Sequence, residues 1–298
     1  MNAQVSVKDA PVRVHPLTEK EDETEVLAFL AARPVYTVFM SSLIRDNGLT
    51  SPLNRGTFYA CRNRLGQLLG VALIGHATLI ETRSEAALAA FAREAQRCSS
   101  AHIIMGEQDL IESFWQNYAE EGQRSRLIST SMLLEQRRTV KTFEGVPELR
   151  PATTKDLSLL LPVNAQLSLE ECGVNPLERD PQGFRSRLAR RIEKGRVWVW
   201  SREGRILFKA DILADTEEAI YLEGIYVAPE ERGKQYGQRC MSQLAHNLLL
   251  RTNALCLLVN EKNHRAQEFY RRIGYKLHAY FDTIYLHQQQ PSSAPQAI

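Results

Sequence analysis

Residues 221–237, YLEGIYVAPEERGKQYG, constrain this chain more than any other stretch. Tyr221, Ile225, Tyr226 and Val227 are β-branched or aromatic and suit a pleated surface, so the run begins as a strand. Pro229 ends it, because proline has no N–H to give to a ladder. Arg232 and Gly233 then lead into GQRCMSQLAHNLLLR, where Cys240, Met241, Leu244, Ala245 and Leu248 recur at helical spacing. The first turn of such a helix carries backbone N–H groups without intrahelical partners and the positive end of the helix dipole. A loop feeding it suits a pyrophosphate, although the same pattern also describes a plain strand–loop–helix connection.

The next segment is NALCLLVNEKNHRAQEFYRRIGYK. It reads as an apolar strand at 255–259 and a helix from about Asn263. Ala266, Phe269, Tyr270 and Ile273 form the apolar stripe of that helix. Arg271 and Arg272 suit the negative end of its dipole, and Gly274 suits the position just past it.

Together the two segments resemble the core of the GNAT superfamily of acyl-CoA-dependent N-acyltransferases. That family carries (R/Q)-x-x-G-x-(G/A) on the loop and N-x-x-A-x-x-(F/L)-Y-x-x-x-G-(F/Y) on the later helix. Arg232, Gly233, Lys234, Gln235, Tyr236 and Gly237 supply the first, with Gln235 where the family usually has glycine. Asn263, Ala266, Phe269, Tyr270, Gly274 and Tyr275 supply the second in full. The resemblance implies that Arg232–Gln238 bind the pyrophosphate of acetyl-CoA and that Asn263 contacts the cofactor. It also implies that backbone groups of Ile225, Tyr226 and Val227 pair with the pantetheine arm. Because Gln235 has a Cβ, it is expected to take a helical or extended φ and to leave the main-chain cradle intact.

Acyl transfer to an amine needs a base for the ammonium proton and benefits from a proton for the departing thiolate. Glu223 is the candidate base, since burial in its apolar strand would raise its pKa towards neutrality. Its segment also looks like the corresponding strand of aminoglycoside 6′-N-acetyltransferases, where an acidic residue engages the amine. The alternative is an exposed glutamate paired with an arginine such as Arg205. Gly224 within the strand suggests a bulge. Tyr270 matches the family's tyrosine and is the candidate acid, being protonated at neutral pH. Its alternative is a core tyrosine, and that of Asn263 a helix N-cap. Arg185, Arg187, Arg190, Arg191 and Lys194 crowd one helix in the region that covers the acceptor site in the family. They suit an acidic acceptor or a solvated cationic face.

The second half, from residue 148, repeats the element order of the first, β-α-α-β-β-β-α-β-α-β. The openings also look alike, VRVHPLT at 12–18 against ELRPATT at 148–154. The expectation is an α/β chain of two tandem GNAT-like domains, each a mixed, mostly antiparallel sheet flanked by helices. A degenerate domain spans 11–135, a linker 136–147, a catalytic domain 148–287 and a disordered tail 288–298. Two strands, 276–281 and 283–287, close the second domain, and Thr154 caps its first helix. The first half lacks both signatures: Glu81-Thr82-Arg83-Ser84 is too tight a link to wrap a pyrophosphate, and Trp115-Gln116-Asn117-Tyr118 lies in a different frame from the second motif.

Composition excludes several classes. No run of about 18 apolar residues exists, so no membrane span is expected. MNAQVSVKDAPVRV lacks the apolar core of a secretory signal. Five scattered cysteines without a C-x-x-C pair and seven histidines without ligand spacing argue for a reducing cytoplasm and against a metal site. A net charge of +2 gives no reason to expect nucleic acid. The expectation is an acetyl-CoA-dependent N-acetyltransferase, without metal, acting on a small-molecule or peptide amine, with a homodimer left open. Its rivals are a non-catalytic acyl-CoA sensor or assembly module, and a protein that binds ligand through its first half.

Overall fold

The computed structural model describes residues 11–18, 21–139 and 144–287. Residues 1–10 and the tail from 288, expected to be loose, lie outside the described residues. The described residues divide into two compact units. One draws on described residues within 11–133, 258–263 and 277–287, and the other on those within 134–257 and 264–276.

The first unit runs β1 (Arg13–Pro16), α1 (Glu21–Ala31), α2 (Pro34–Asn47), β2 (Gly56–Arg62), β3 (Leu68–Gly75), β4 (Ala77–Thr82), α3 (Glu85–Gln96), β5 (Ile103–Glu107), α4 (Gln108–Tyr118) and β6 (Ser125–Gln136). Strands β1 to β4 pair antiparallel in sequence, and β5 joins β4 in parallel. Alternation along β2 sorts the core onto two faces. Phe58 and Ala60 pack with Val26 and Leu30 of α1 and Ile44 of α2. Tyr59 and Cys61 pack towards Phe91 of α3 and Phe114 of α4.

The second unit repeats this plan with β7 (Arg150–Pro151), α5 (Leu157–Cys172), α6 (Pro176–Arg179), α7 (Pro181–Glu193), β8 (Val197–Arg202), β9 (Arg205–Asp215), β10 (Ile220–Val227), α8 (Tyr236–Leu249), β11 (Leu255–Asn260) and α9 (His264–Arg272). Strands β7 to β10 are again antiparallel, and β11 again joins in parallel. Leu160 of α5 and Leu188 and Ile192 of α7 close over Val197, Val199 and Ile206. Asp180 caps α7 by accepting from the Gly183 N–H at 2.9 Å, with Pro181 in the first turn.

Two local expectations are corrected. Thr153, not Thr154, begins the turn into α5. Its N–H donates to Asp156 Oδ2 at 2.7 Å, and Arg150 holds the same carboxylate through two bonds. Residues 276–287 do not form two strands but one, β12 (Lys276–Leu286). Asp282 looked like a break, yet its carboxylate accepts from Thr130 Oγ1 at 2.7 Å, so the strand carries it without interruption. β12 pairs antiparallel with β5, from Phe281↔Glu107 to Tyr285↔Ile103. The last described strand therefore pairs into the first unit's sheet.

Candidate active site

The second unit brings its chemistry together along β10. The antiparallel register with β9 pairs Glu223 with Asp211, then slips, so that Tyr226 faces Lys209. The slip is the bulge that Gly224 foretells, and Gly224 takes φ 57° there. Among the described residues, parallel pairing of β10 with β11 covers only Ile220↔Leu255 and Tyr221↔Cys256. Ile225, Tyr226 and Val227 lie beyond it.

Charged side chains gather beneath the bulge. Lys209 is fully buried, 3.0 Å from Asp211 Oδ1, and donates to Asn164 Oδ1 at 2.9 Å. Arg191 of α7 donates to Asp211 Oδ2 at 2.7 Å. Glu223 is partly buried. Burial pushes its carboxyl above the usual range, Arg191 pulls it back, Asp211 adds to the rise and Lys209 opposes it. Glu171, near the end of α5, keeps solvent contact. Protein crowding its carboxyl and the Glu223 charge nevertheless push it up to about 7. Arg205 turns to Glu230 at 3.4 Å rather than to Glu223.

From the arginine-rich helix, Arg191 and Arg187 are engaged within the unit, Arg187 with Asp180 at 2.9 Å. Sequence reasoning singled out neither Lys209, Asp211, Asn164 nor Glu171. Lys209 and Asp211 had a signal, two opposite charges in the apolar run ILFKADILA. Glu171 had none, because LSLEEC reads as an ordinary helix end.

The loop after β10 contains one correction. Gly233 has φ 84°, and Gln235 has φ 64° and ψ 5°. Gln235 is thus left-handed, a conformation that glycine adopts more readily than a residue with a Cβ, and not helical or extended as expected. The first bond of α8 closes onto it, Arg239 N–H to Gln235 O at 3.1 Å. No side chain caps α8. The first-turn N–H groups of Tyr236, Gly237 and Gln238 are therefore the ones a bound anion would take. Gly237 is needed for space, since a Cβ there would stand 3.0 Å from Val227 Cγ2 and 3.3 Å from the Phe269 ring. Tyr236 meets Trp200 edge-on at 4.8 Å. The loop's cations already have partners. Arg232 Nε donates to Val227 O at 3.1 Å, and Lys234 pairs with Glu231 at 2.9 Å. The arrangement fits a pyrophosphate held by main-chain N–H groups.

The same connection in the first unit is closed. Ser84 N–H donates to Thr82 Oγ1 at 3.1 Å, and Ser84 Oγ accepts from Ala87 N–H at 3.3 Å, capping α3. The helix end that is open in α8 is satisfied internally in α3.

Tyr270 of α9 is buried, with its ring edge-on to Phe269 at 5.1 Å and to Tyr275 at 5.6 Å. Burial, and then the nearby Glu171 charge, push its phenol far above the usual tyrosine range, so it stays protonated. Glu171 thus feels the Glu223 charge and itself acts on Tyr270. Asn263 belongs to the 258–263 segment, which clusters with the first unit, and its N–H turns back to Asn260 O at 2.9 Å. Among the described residues no group of histidine, cysteine, aspartate and glutamate side chains is placed to hold a metal ion. No described helix is long and apolar enough to cross a membrane.

Residues 193–277 match the family model of the acetyltransferase (GNAT) domain. No curated protein matches the sequence. Among solved structures, the chain resembles a GCN5-related N-acetyltransferase from Sphaerobacter thermophilus at 12% identity and a TM-score of 0.60, over 92% of this chain and 94% of the other. It resembles a GNAT-family acetyltransferase from Colwellia psychrerythraea at 12% identity and 0.57, over 92% and 100%. It also resembles a tandem GNAT protein from the clavulanic acid biosynthesis pathway at 12% identity and 0.57, over 94% and 100%. The chain thus has the GNAT fold in a tandem plan, and residues 193–277 of its second half match the model of the acetyltransferase (GNAT) domain.

Proposed function

We propose that the second unit transfers an acetyl group from acetyl-CoA to a primary amine by direct attack. The observation that carries this reading is the bulged β10, which sets a partly buried glutamate just before a loop opening onto an uncapped helix. The N–H groups of Tyr236, Gly237 and Gln238 hold the pyrophosphate, with Arg232, Gly233, Lys234 and Gln235 shaping the loop. The β10 residues Ile225–Val227 offer backbone groups to the pantetheine arm.

Glu223 takes a proton from the bound ammonium, directly or through water. Burial raises its pKa, which makes it a stronger base towards that proton than an exposed carboxylate. The freed amine attacks the thioester carbonyl and its nitrogen becomes cationic; the C–S bond breaks as Tyr270 gives its phenolic proton to the leaving sulfur, and the nitrogen's surplus proton then passes to the Tyr270 oxygen, leaving a neutral amide and restoring the phenol. Tyr270 suits this role because burial keeps it protonated. The first half, 11–135, serves as a degenerate copy without this cradle. The setting is a reducing cytoplasm, in line with the unpaired thiols of Cys61, Cys98, Cys240 and Cys256.

The test is release of CoA thiol from acetyl-CoA in the presence of a panel of polyamines, aminoglycosides, amino acids and peptides. Amine-dependent release supports the reading. A melting-temperature rise with acetyl-CoA but no turnover across the panel would instead favour a non-catalytic acyl-CoA sensor.

A further inference from the structure

We propose that Tyr275 is a positioning residue for the acid: its hydroxyl donates to the Tyr270 oxygen once that oxygen has given its proton to the leaving sulfur, an inference that rests on the reading of Tyr270 as the acid. The pairing is built by the way α9 ends. Gly274, at φ 102°, gives its N–H to Arg271 O at 3.2 Å, and Tyr275 gives its N–H to Tyr270 O at 3.0 Å. These two bonds are the Schellman closure of a helix, in which the residue after the glycine turns back onto the last full turn. The closure brings the side chains of those two residues into contact. Here they are the two tyrosines, with their rings edge-on at 5.6 Å.

The closure accounts for the Tyr275 ring and not for its hydroxyl. Tyr275 is only 2% exposed, and among the described residues its hydroxyl oxygen has no hydrogen-bond partner. A phenylalanine would make the same ring contact without burying an unpaired polar group, which costs stability. Cys256 also acts on Tyr275, but its thiol is engaged elsewhere, donating to Ile220 O at 3.6 Å. Burial, and then a negative Tyr270 oxygen, hold the Tyr275 phenol well above the usual tyrosine range. Tyr275 therefore keeps its proton, and with it a donor, while Tyr270 loses one.

The proposed chemistry calls for such a donor. As the C–S bond breaks, the Tyr270 proton goes to sulfur and the O–H electron pair stays on the Tyr270 oxygen. That oxygen remains a phenolate until the surplus proton of the nitrogen returns to it. The anion forms where burial and the Glu171 charge both oppose it. A hydrogen bond to an ionised oxygen is roughly twice as strong as one between neutral groups. The Tyr275 hydroxyl is thus unpaired before the reaction and engaged at the step where charge develops. That is the condition for lowering a barrier rather than tightening binding. No bond to Tyr275 forms or breaks, and it stays a phenol throughout.

The test is Tyr275→Phe in the full-length chain, measured beside Tyr270→Phe and the double variant. Each is assayed for CoA release from acetyl-CoA with the best amine of the panel, and for thermal unfolding. Tyr275→Phe should melt at or above the wild-type temperature, since it removes an unpaired buried hydroxyl. It should nevertheless lower kcat by roughly ten- to hundredfold, with the KM for acetyl-CoA and for the amine unchanged. That loss should vanish in the Tyr270→Phe background, because the oxygen that Tyr275 serves is gone. An unchanged kcat, a lower melting temperature, or an equal kcat loss with and without the Tyr270 hydroxyl would overturn the proposal and leave Tyr270 as the acid. If Tyr270→Phe itself turns over at the wild-type rate, the reading of Tyr270 as the acid fails, and the proposal fails with it.

Discussion

Gly224 and Lys209 meet across the β9–β10 bulge, where a Cβ on residue 224 would stand 2.8 Å from the Lys209 ammonium nitrogen. Gly224 is left-handed at φ 57°, so a side chain is opposed by the backbone as well as by the lysine. Gly233 supplies the control, because it has φ 84° but no heavy atom within 4 Å of a Cβ. Gly233→Ala should cost about 1–2 kcal/mol, the left-handed penalty alone. Gly224→Ala should cost more, since it must also displace a buried ammonium held by Asp211 and Asn164. Urea unfolding measures both. Equal losses would mean that Lys209 yields freely and that the bulge does not depend on it.

The charges around Glu223 predict opposite pH shifts. The base works deprotonated, so the rate rises with pH through the apparent pKa of the Glu171–Glu223 pair, with Glu171 itself near 7. Asp211→Asn removes a negative neighbour, makes Glu223 easier to ionise and moves the rising limb to lower pH. Lys209→Met removes a positive neighbour and moves it to higher pH. The pH profile of kcat/KM for each variant checks the signs. Shifts in the same direction would place the limb on another group.

Gln235 makes a third case. It holds φ 64°, which a residue with a Cβ adopts at a cost of roughly 1–2 kcal/mol. Gln235→Gly should therefore raise the unfolding free energy by up to about that amount, less the entropy that glycine adds to the unfolded chain. Acetyl-CoA should bind at least as tightly as to wild type, because the cradle uses main-chain N–H groups. Calorimetric titration showing more than about tenfold weaker binding would make the glutamine side chain a ligand contact.

Much of this was legible in the sequence, and the failures have identifiable causes. The spacing in α8 placed Cys240, Met241, Leu244, Ala245 and Leu248 on one face, and all five are buried. Gly224 within an apolar strand announced the bulge. What failed depended on partners distant in sequence. Asp282 looked like a strand break until Thr130, 152 residues away, supplied its hydrogen bond. The pairing of β12 with β5 left no local trace, because periodicity gives a strand's faces and not its neighbours. Gln235 misled because residue type predicts the conformation a residue prefers. Its left-handed φ comes from the geometry of the loop between Gly233 and α8. Glu171 was invisible because only folding brings it near Glu223 and Tyr270.

The central claim is that Glu223 is the proton acceptor of an acetyl transfer carried out by the second unit. Its most direct test is CoA release by Glu223→Gln, run beside wild type with the best amine of the panel and with acetyl-CoA binding measured in parallel. Glutamine keeps the shape and the hydrogen-bonding oxygen but does not take the proton. The turnover rate should fall by roughly 10²–10⁴-fold while the acetyl-CoA melting shift stays unchanged. An unchanged turnover rate, or a rise confined to the KM for the amine, would contradict the claim and make Glu223 a binding residue.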